Sequence, residues 1–305
     1  MPAEPTAAPA GAGYSRGIGM MLLGIALFAG NDALGKFLVG SFSVGQILFI
    51  RSIASLLVMA PILWRTGLAP WRDAPHPRLQ LLRVVFSTGE SALFYAALTT
   101  LPLAEVITYY LAGPIYVTAL SPFVLRERVG WRRWSAVLVG FVGVVLALHP
   151  SPEGMSWGAL AALTGSFSFA CLLVTTRKLS GTHGSLLITG QLCGALLLGT
   201  VMVLGGEWAP TGTADLGLLA LLGLLSMAGY ACVNTALRLA PASVVVPYQY
   251  TLIVWALIFG YVFFGEVVDR LTLLGAAVIV GAGLFIFLRE RQRATAAPDA
   301  AEQPG

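Results

Sequence analysis

The chain has 305 residues, of which 57% are hydrophobic and only 10% are charged, and its formal net charge is +4. A soluble globular protein carries about 25% charged residues, so this composition excludes a soluble protein and predicts lipid as the surrounding solvent. The apolar stretches are continuous and about 20 residues long, as transmembrane helices require, whereas a membrane β-barrel needs alternating residues. The sequence therefore predicts an all-α integral membrane protein.

Ten apolar stretches follow one another along the chain. We predict transmembrane helices over 17–38, 43–64, 80–100, 103–125, 131–149, 155–177, 184–204, 215–237, 242–264 and 270–288. Residues 1–15 lack the basic start and apolar core of a signal peptide and are expected to form a disordered tail. Residues 289–305, rich in Ala, Pro and Glu, are expected to form a cytoplasmic C-terminal tail.

The basic residues are concentrated in alternate joins between these helices. If the N-terminus is cytoplasmic, 15 of the 18 Lys and Arg residues fall on the cytoplasmic side, and only Lys36, Arg51 and Arg270 do not. Because Lys and Arg in short loops are retained in the cytoplasm, both termini are predicted there, in a multi-pass protein of the cytoplasmic membrane. This bias explains the net positive charge without a nucleic-acid partner.

The two halves of the chain are similar to one another. A shift of 139 places residues 101–129 on 240–268, matching Pro102 with Pro241, Tyr109 with Tyr248 and Glu127 with Glu266. The same shift places SALFYAAL (91–98) on YACVNTAL (230–237), and a shift of 141 places Gly17, Phe28 and Lys36 on Gly158, Phe169 and Arg177. Five crossings per repeat is an odd number, so the repeats, 16–149 and 150–288, are predicted to be inverted relative to one another.

Two segments, LRERVGWRRW (125–134) and FGEVVDRLTLLG (264–275), each place a Glu at a helix end before a turn and another helix. With these paired ends the chain, over residues 16–288, resembles the drug/metabolite transporter superfamily, specifically its ten-helix EamA-type members. The segment FAGNDALGKFLVGSFSVGQILFIRS (28–52) is more similar to the subset that includes bacterial riboflavin and S-adenosylmethionine carriers. The resemblance implies a central cavity lined by the first, third, fourth, sixth, eighth and ninth helices.

Ionisable side chains within membrane helices are costly, and they indicate functional candidates. Asp32 and Lys36 lie four residues apart on one helix face, either as a neutralised pair or as the lining of an outer vestibule. Arg51 can pair with Asp32 or Glu90, or it can hold a substrate carboxylate or phosphate. Glu90 lies near the middle of the third helix, where a desolvated carboxylate can exchange protons, although a structural partner for Arg51 is equally consistent. Glu90, Asp32 and Lys36 are thus the predicted proton-coupling or charge-pair residues.

Aromatic and amide side chains occur at matching places in the fourth and ninth helices. They are either ordinary packed residues or, as a symmetric cluster, the wall of an organic-ligand pocket. The predicted substrate-binding residues are Arg51, Tyr109, Tyr110, Tyr248, Gln249, Asn234 and Trp255. Glu127 and Glu266 are expected instead to stabilise helix ends, beside Arg128 and Arg270.

No HExxH, GxSxG or Walker-type motif is present and the three histidines are dispersed, so no enzymatic activity, cofactor or metal site is predicted. The predicted function is secondary transport of an amino acid, vitamin or nucleoside-like metabolite by alternating access, with proton coupling left open. The predicted partners are that small molecule and membrane lipid. A receptor or scaffold, or an exporter of drug-like compounds, is the alternative. Substrate, direction, coupling ion and the choice between monomer and homodimer are not fixed.

Overall fold

The protein is almost entirely helical. The computed structural model describes residues 10–66, 75–125, 130–148, 156–206, 208–240 and 245–299, and no strand occurs among them. In chain order the helices are α1 Ala10–Val39, α2 Val44–Thr66, α3 Pro77–Leu98, α4a Leu103–Tyr110, α4b Gly113–Val124, α5 Trp131–Leu148, α6 Trp157–Lys178, α7 Gly184–Gly205, α8 Thr213–Leu239, a 3₁₀ helix Val246–Thr251, α9 Leu252–Phe264 and α10 Arg270–Asp299. The predicted all-α membrane architecture is confirmed.

Seven membrane-length apolar segments occur among these helices, one of them spanning both parts of α4. Three shorter apolar helices, Trp134–Leu146, Tyr248–Phe264 and Arg270–Ala282, occupy the positions of the fifth, ninth and tenth predicted spans. Each predicted span is therefore mainly helical over the residues that the structure describes, while the count of ten complete crossings stays a prediction.

The terminal helices extend beyond the predicted spans. Helix α1 begins at Ala10, and α10 continues to Asp299, so residues 10–15 and 289–299 of the expected tails are helical. Beyond residue 288 the chain contains Arg, Glu, Gln and Ala, which are good helix formers and can prolong a helix past its apolar part. Residues 1–9 and 300–305 lie outside the described residues.

The fourth and ninth helices are interrupted at matching places. Helix α4a ends at Tyr110 and α4b begins at Gly113, while the ninth helix starts as the 3₁₀ helix and becomes α-helical at Leu252. With the shift of 139, the break at 111–112 corresponds to 250–251, the end of the 3₁₀ segment. Both α4b and the 3₁₀ helix carry a proline in their first turn, which removes a backbone donor. The interruptions thus belong to the repeat.

The two repeats interlock. Helix α1 packs on α8 and α6 packs on α3, while α2 packs on α7 and α5 packs on α10. Exchanging each helix for its equivalent in the other repeat reproduces this set of pairings. The centre of the bundle therefore lies between the repeats.

Equivalent basic residues bond equivalent helix ends. Lys36 Nζ donates to the Leu98 carbonyl at the end of α3 (3.0 Å), and Arg177 Nη1 donates to the Leu237 carbonyl near the end of α8 (2.7 Å). A cation here satisfies a carbonyl without an intrahelical partner and complements the helix dipole. The alignment of Lys36 with Arg177 and of Leu98 with Leu237 thus has a structural basis.

These two contacts lie at opposite ends of the bundle, which we call the Lys36 face and the Arg177 face. Gly17, in the first part of α1, packs so closely on Ala240 that an added Cβ would lie 3.1 Å from the Ala240 Cβ. The end of α8 is therefore beside the start of α1, whereas Lys36 is near the other end of α1. Equivalent contacts at opposite faces are what inverted repeats require.

Helix α8 packs closely on α2 at Gly223. A Cβ added there would overlap the Arg51 carbonyl oxygen and lie 2.8 Å from Ser55 Oγ. We expect Gly223→Ala to force the helices apart and to destabilise the protein by about 1–3 kcal/mol, the usual cost of overpacking. Gly217→Ala is the matched control, because Gly217 lies on the same helix with nothing within 4 Å of an added Cβ. Thermal unfolding in detergent checks this, and an unchanged Tm for Gly223→Ala would contradict it.

Candidate functional site

A cavity lies at the centre of the bundle, between the repeats. Its walls come from α1, α2, α3, α4a, α6, α8 and the interrupted ninth helix, and its space, including the part open to solvent, is about 690 Å³. These are the six helices that the family resemblance implies, together with α2. The lining combines three charged residues with six aromatic rings, which are Phe28, Phe94, Tyr95, Tyr110, Phe169 and Tyr230.

The wall of the cavity follows the repeat symmetry. Both members of three equivalent pairs line the cavity. The pairs are Phe28 with Phe169, Ser91 with Tyr230, and Tyr110 with Gln249. The last pair lies at the helix interruptions, which bring each side chain to the centre. The cavity is therefore at the axis that relates the repeats.

The charges do not follow this symmetry. Asp32, Arg51 and Glu90 all come from the first repeat. Their counterparts in the second repeat follow from the shift of 141 for α1, the matching starts of α2 and α7, and the shift of 139 for α3. These counterparts are Leu173, Gln191 and Gly229. One repeat therefore supplies all the charge of the cavity.

Arg51 is held on α3 without a counter-ion. Its Nη1 donates to Tyr95 Oη (2.7 Å) and its Nη2 donates to Ser91 Oγ (3.1 Å), and the side chain is 5% exposed. Among the described residues, no carboxylate oxygen lies within 4.0 Å of its guanidinium, so an ion pair with Asp32 or Glu90 is not formed. A guanidinium has five N–H donors, and three of them stay available to another partner.

Glu90 connects three helices at the cavity. Its Oε2 accepts hydrogen bonds from Tyr230 Oη on α8 (2.8 Å) and from Ser91 Oγ (3.0 Å). Its backbone carbonyl accepts from Tyr110 Oη on α4a (3.4 Å). Since Ser91 and Tyr230 are equivalent residues, both repeats hold the same carboxylate oxygen.

Asp32 is not neutralised by Lys36. Its Oδ1 accepts a hydrogen bond from Asn31 Nδ2 (3.1 Å), and the only ion pair that Lys36 makes within the described ranges is with Glu266, with an Nζ–Oε1 distance of 3.6 Å. The four-residue spacing of Asp32 and Lys36 therefore does not produce the pair that it suggested. Asp32, 7% exposed, lines the cavity, while Lys36 lies toward one face.

Glu266 joins three helices at the Lys36 face. Gly265, with φ of 64°, ends α9 in the left-handed conformation that suits glycine, and Glu266 N then bonds the Gly260 carbonyl (3.0 Å). This turn directs the Glu266 side chain to Lys36 on α1 and to the backbone N–H of Leu103 at the start of α4a (2.8 Å). Its role at a helix end thus includes contacts to α1 and α4a. The equivalent Glu127 and its neighbour Arg128 lie outside the described residues.

We expect the Lys36–Glu266 contact to contribute measurably to stability. Both side chains are less than one-fifth exposed, so solvent screens the pair only partly, and a coupling of about 1 kcal/mol is expected. A double-mutant cycle with Lys36→Met, Glu266→Gln and both together, followed by denaturation, measures it. Strictly additive effects of the two substitutions would contradict this expectation.

Of the predicted substrate-binding residues, Arg51, Tyr110 and Gln249 line the cavity and four others do not. Tyr109 Oη donates to Glu105 Oε1 (3.2 Å), and Asn234 Oδ1 accepts from Arg83 Nη2 (3.4 Å). Tyr248 lines a separate crevice beside α10, and Trp255 is 38% exposed and packs on Phe259.

Sequence reasoning missed several cavity residues, among them Asn31, Tyr95 and Tyr230. The alignment of residue 91 with residue 230 contained a usable signal, because both members of that pair bond Glu90. No ligand set for a metal ion occurs among the described His, Cys, Asp and Glu residues.

Arg83, one of the 15 basic residues assigned to the cytoplasmic side, is buried in the bundle and not exposed in a loop. It is only 1% exposed, and it donates to Thr176 Oγ1 (2.8 Å) and the Leu187 carbonyl (2.8 Å) as well as to Asn234. It therefore ties α3 to α6, α7 and α8 near the Arg177 face.

Comparison with known proteins gives the family. The model of the EamA-like transporter family matches twice, at residues 15–149 and 156–288. An S-adenosylmethionine uptake transporter of Rickettsia bellii is 28% identical over 92% of this chain and 96% of its own length. A riboflavin transporter of Rhizobium johnstonii is 30% identical over 95% of both chains. A protein of known crystal structure shares the fold, with a TM-score of 0.62 at 20% identity over 92% of this chain and 99% of its own. The chain therefore belongs to the EamA-like transporter family.

Proposed function

We propose that this protein takes up a small organic metabolite by alternating access across the cytoplasmic membrane. The observation that carries the proposal is the central cavity, in which a counter-ion-free Arg51 lies among aromatic rings contributed by both repeats. Aromatic surface with a few convergent polar groups is typical of organic-ligand sites. The similarity to proteins named as S-adenosylmethionine and riboflavin transporters supports a metabolite as the cargo.

Alternating access requires that each face of the cavity closes in turn. On the Lys36 face, Lys36 and Glu266 connect α1, α3, α4a and α9. On the Arg177 face, Arg177 connects α6 to α8, and Arg83 connects α3 to α6. Because interlocked repeats place such contacts at both faces, releasing one set while keeping the other exposes the cavity to one side. The basic bias supports the Arg177 face as the cytoplasmic one.

Glu90 is the proposed site of proton coupling. It is the carboxylate that both repeats bond directly, so a change in its protonation alters contacts between α3 and α8. A proton gradient then biases the conformational equilibrium through this carboxylate.

Uptake into liposomes that contain only this protein tests the proposal. The panel is tritiated S-adenosylmethionine, tritiated riboflavin and labelled aromatic amino acids, each with and without an inwardly directed proton gradient. Saturable uptake above protein-free liposomes is the expected result. Vesicles with folded protein that accumulate no panel compound would contradict metabolite uptake, and uptake unaffected by the gradient would contradict coupling.

A further inference from the structure

The cavity contains a corner that is rich in hydrogen-bond acceptors. Asp32 and Asn31 both line it from α1, and they are 7% and 5% exposed. Asn31 uses its amide nitrogen to donate to Asp32 Oδ1, which leaves Asn31 Oδ1 buried without a hydrogen-bond partner. A buried acceptor without a donor is costly, and within the described residues no cation lies within 4.0 Å of Asp32. A positively charged donor on a ligand would satisfy both Asn31 Oδ1 and Asp32.

Arg51 forms the opposite kind of corner in the same cavity. Its guanidinium is positioned by Tyr95 and Ser91 and retains unused N–H donors. The planar fork of a guanidinium matches a carboxylate with two parallel hydrogen bonds. The missing partner here is an anion.

The two corners remain separate, although their charges are opposite. Arg51 would neutralise Asp32 if they touched, yet no nitrogen of Arg51 lies within 4.0 Å of a carboxylate oxygen of Asp32 in the described structure. Glu90 differs from Asp32 because two hydroxyl groups, those of Tyr230 and Ser91, already donate to its Oε2. A ligand with a cation and an anion on neighbouring atoms can satisfy both corners at once.

We propose that the substrate is a zwitterion with an α-amino-acid head group, whose ammonium binds Asp32 and Asn31 and whose carboxylate binds Arg51. This inference rests on the proposed function and names the substrate class of that site. The remainder of the ligand lies among the rings of Phe28, Phe94 and Phe169. A flavin without an ammonium group leaves the acceptor corner unsatisfied, so the cavity favours S-adenosylmethionine over riboflavin.

Ligand-induced thermal stabilisation of the full-length protein in nanodiscs tests the assignment separately from transport. The probes are S-adenosylmethionine, riboflavin, phenylalanine, phenethylamine, which lacks the carboxylate, and 3-phenylpropionate, which lacks the ammonium. We expect S-adenosylmethionine or phenylalanine to stabilise the protein, and each truncated analogue to bind at least about 10-fold more weakly than phenylalanine, since each analogue lacks the charged hydrogen bonds of one corner.

Two substitutions separate the corners. Asp32→Asn is expected to weaken binding of the zwitterions about 10-fold or more, but to leave binding of 3-phenylpropionate unchanged. Arg51→Gln is expected to weaken both. Circular dichroism and size-exclusion profiles that match the wild type establish that each variant is folded.

Several outcomes would overturn the assignment. The assignment is wrong if riboflavin alone stabilises the protein, or if no zwitterion stabilises it. It is also wrong if phenylalanine and its truncated analogues bind equally well, or if Asp32→Asn leaves zwitterion binding unchanged. If riboflavin is taken up into liposomes and zwitterions do not compete with it, this inference is contradicted and the proposed function stands. Zwitterion binding without uptake would contradict the proposed function and leave the head-group assignment intact.

Discussion

Arg51→Gln is expected to reduce uptake at sub-saturating substrate by about 10- to 100-fold, because an anion loses its charge-assisted hydrogen bonds in a site shielded from water. Arg51→Lys keeps the charge but not the planar fork, so it should recover only part of the activity. Initial rates of uptake over a range of concentrations in proteoliposomes measure both variants, and the loss should appear mainly as a higher KM.

Arg65→Gln is the matched control for the loss of a cation. Arg65 lies in the last turn of the same helix and is exposed, far along α2 from the cavity. It should retain the wild-type KM. Equal losses in the two variants would mean that Arg51 acts only through the folding of α2.

Glu90→Gln is expected to abolish stimulation of uptake by an inward proton gradient, while uptake without a gradient continues. Gln keeps an oxygen that can accept from Tyr230 and Ser91, so the contact between α3 and α8 survives but no proton can be exchanged. The other titratable groups that line the cavity are Asp32 from α1, Arg51 from α2, Tyr95 from α3, Tyr110 from α4a and Tyr230 from α8. Initial uptake rates between pH 5.5 and about 8 check this prediction, because coupling makes the wild type faster when the outside is acidic.

Glu105→Gln is the control for this substitution. Glu105 is a part-buried carboxylate bonded by Tyr109 and does not line the cavity. Its variant should keep the gradient response. If Glu90→Gln also keeps the rate and pH dependence of the wild type, the proton role is lost, and Asp32 becomes the remaining carboxylate of the cavity to which coupling can be assigned.

The helices and repeats were predictable from sequence because they depend on local hydrophobicity and on similarity between segments. The side of each helix that faces the cavity was not predictable in this way. Tyr109 and Tyr110 are adjacent, and neighbouring residues point about 100° apart on a helix. Tyr110 and its equivalent Gln249 line the cavity, whereas Tyr109 and its equivalent Tyr248 do not. A uniformly apolar helix gives no pattern from which this rotation can be read.

The partners of buried charges depend on contacts between distant segments. Spacing along α1 suggested Asp32 for Lys36, but its ion-pair partner Glu266 lies near the other end of the chain. Arg83 is close enough to a join to be counted as a loop charge, yet packing of α6, α7 and α8 buries it. Only the equivalence of Lys36 with Arg177 was visible in the sequence, since it follows from the repeat.

The restriction of Asp32, Arg51 and Glu90 to one repeat has a consequence for how such a protein can be assembled. A dimer of two first repeats, inserted in opposite orientations, would place two arginines and four carboxylates around one central axis, whereas two second repeats would contribute none of these charges. Neither assembly gives a single set of charges for a ligand without symmetry. Covalent fusion after a gene duplication removes this constraint, because the halves can then diverge while their pairing is kept.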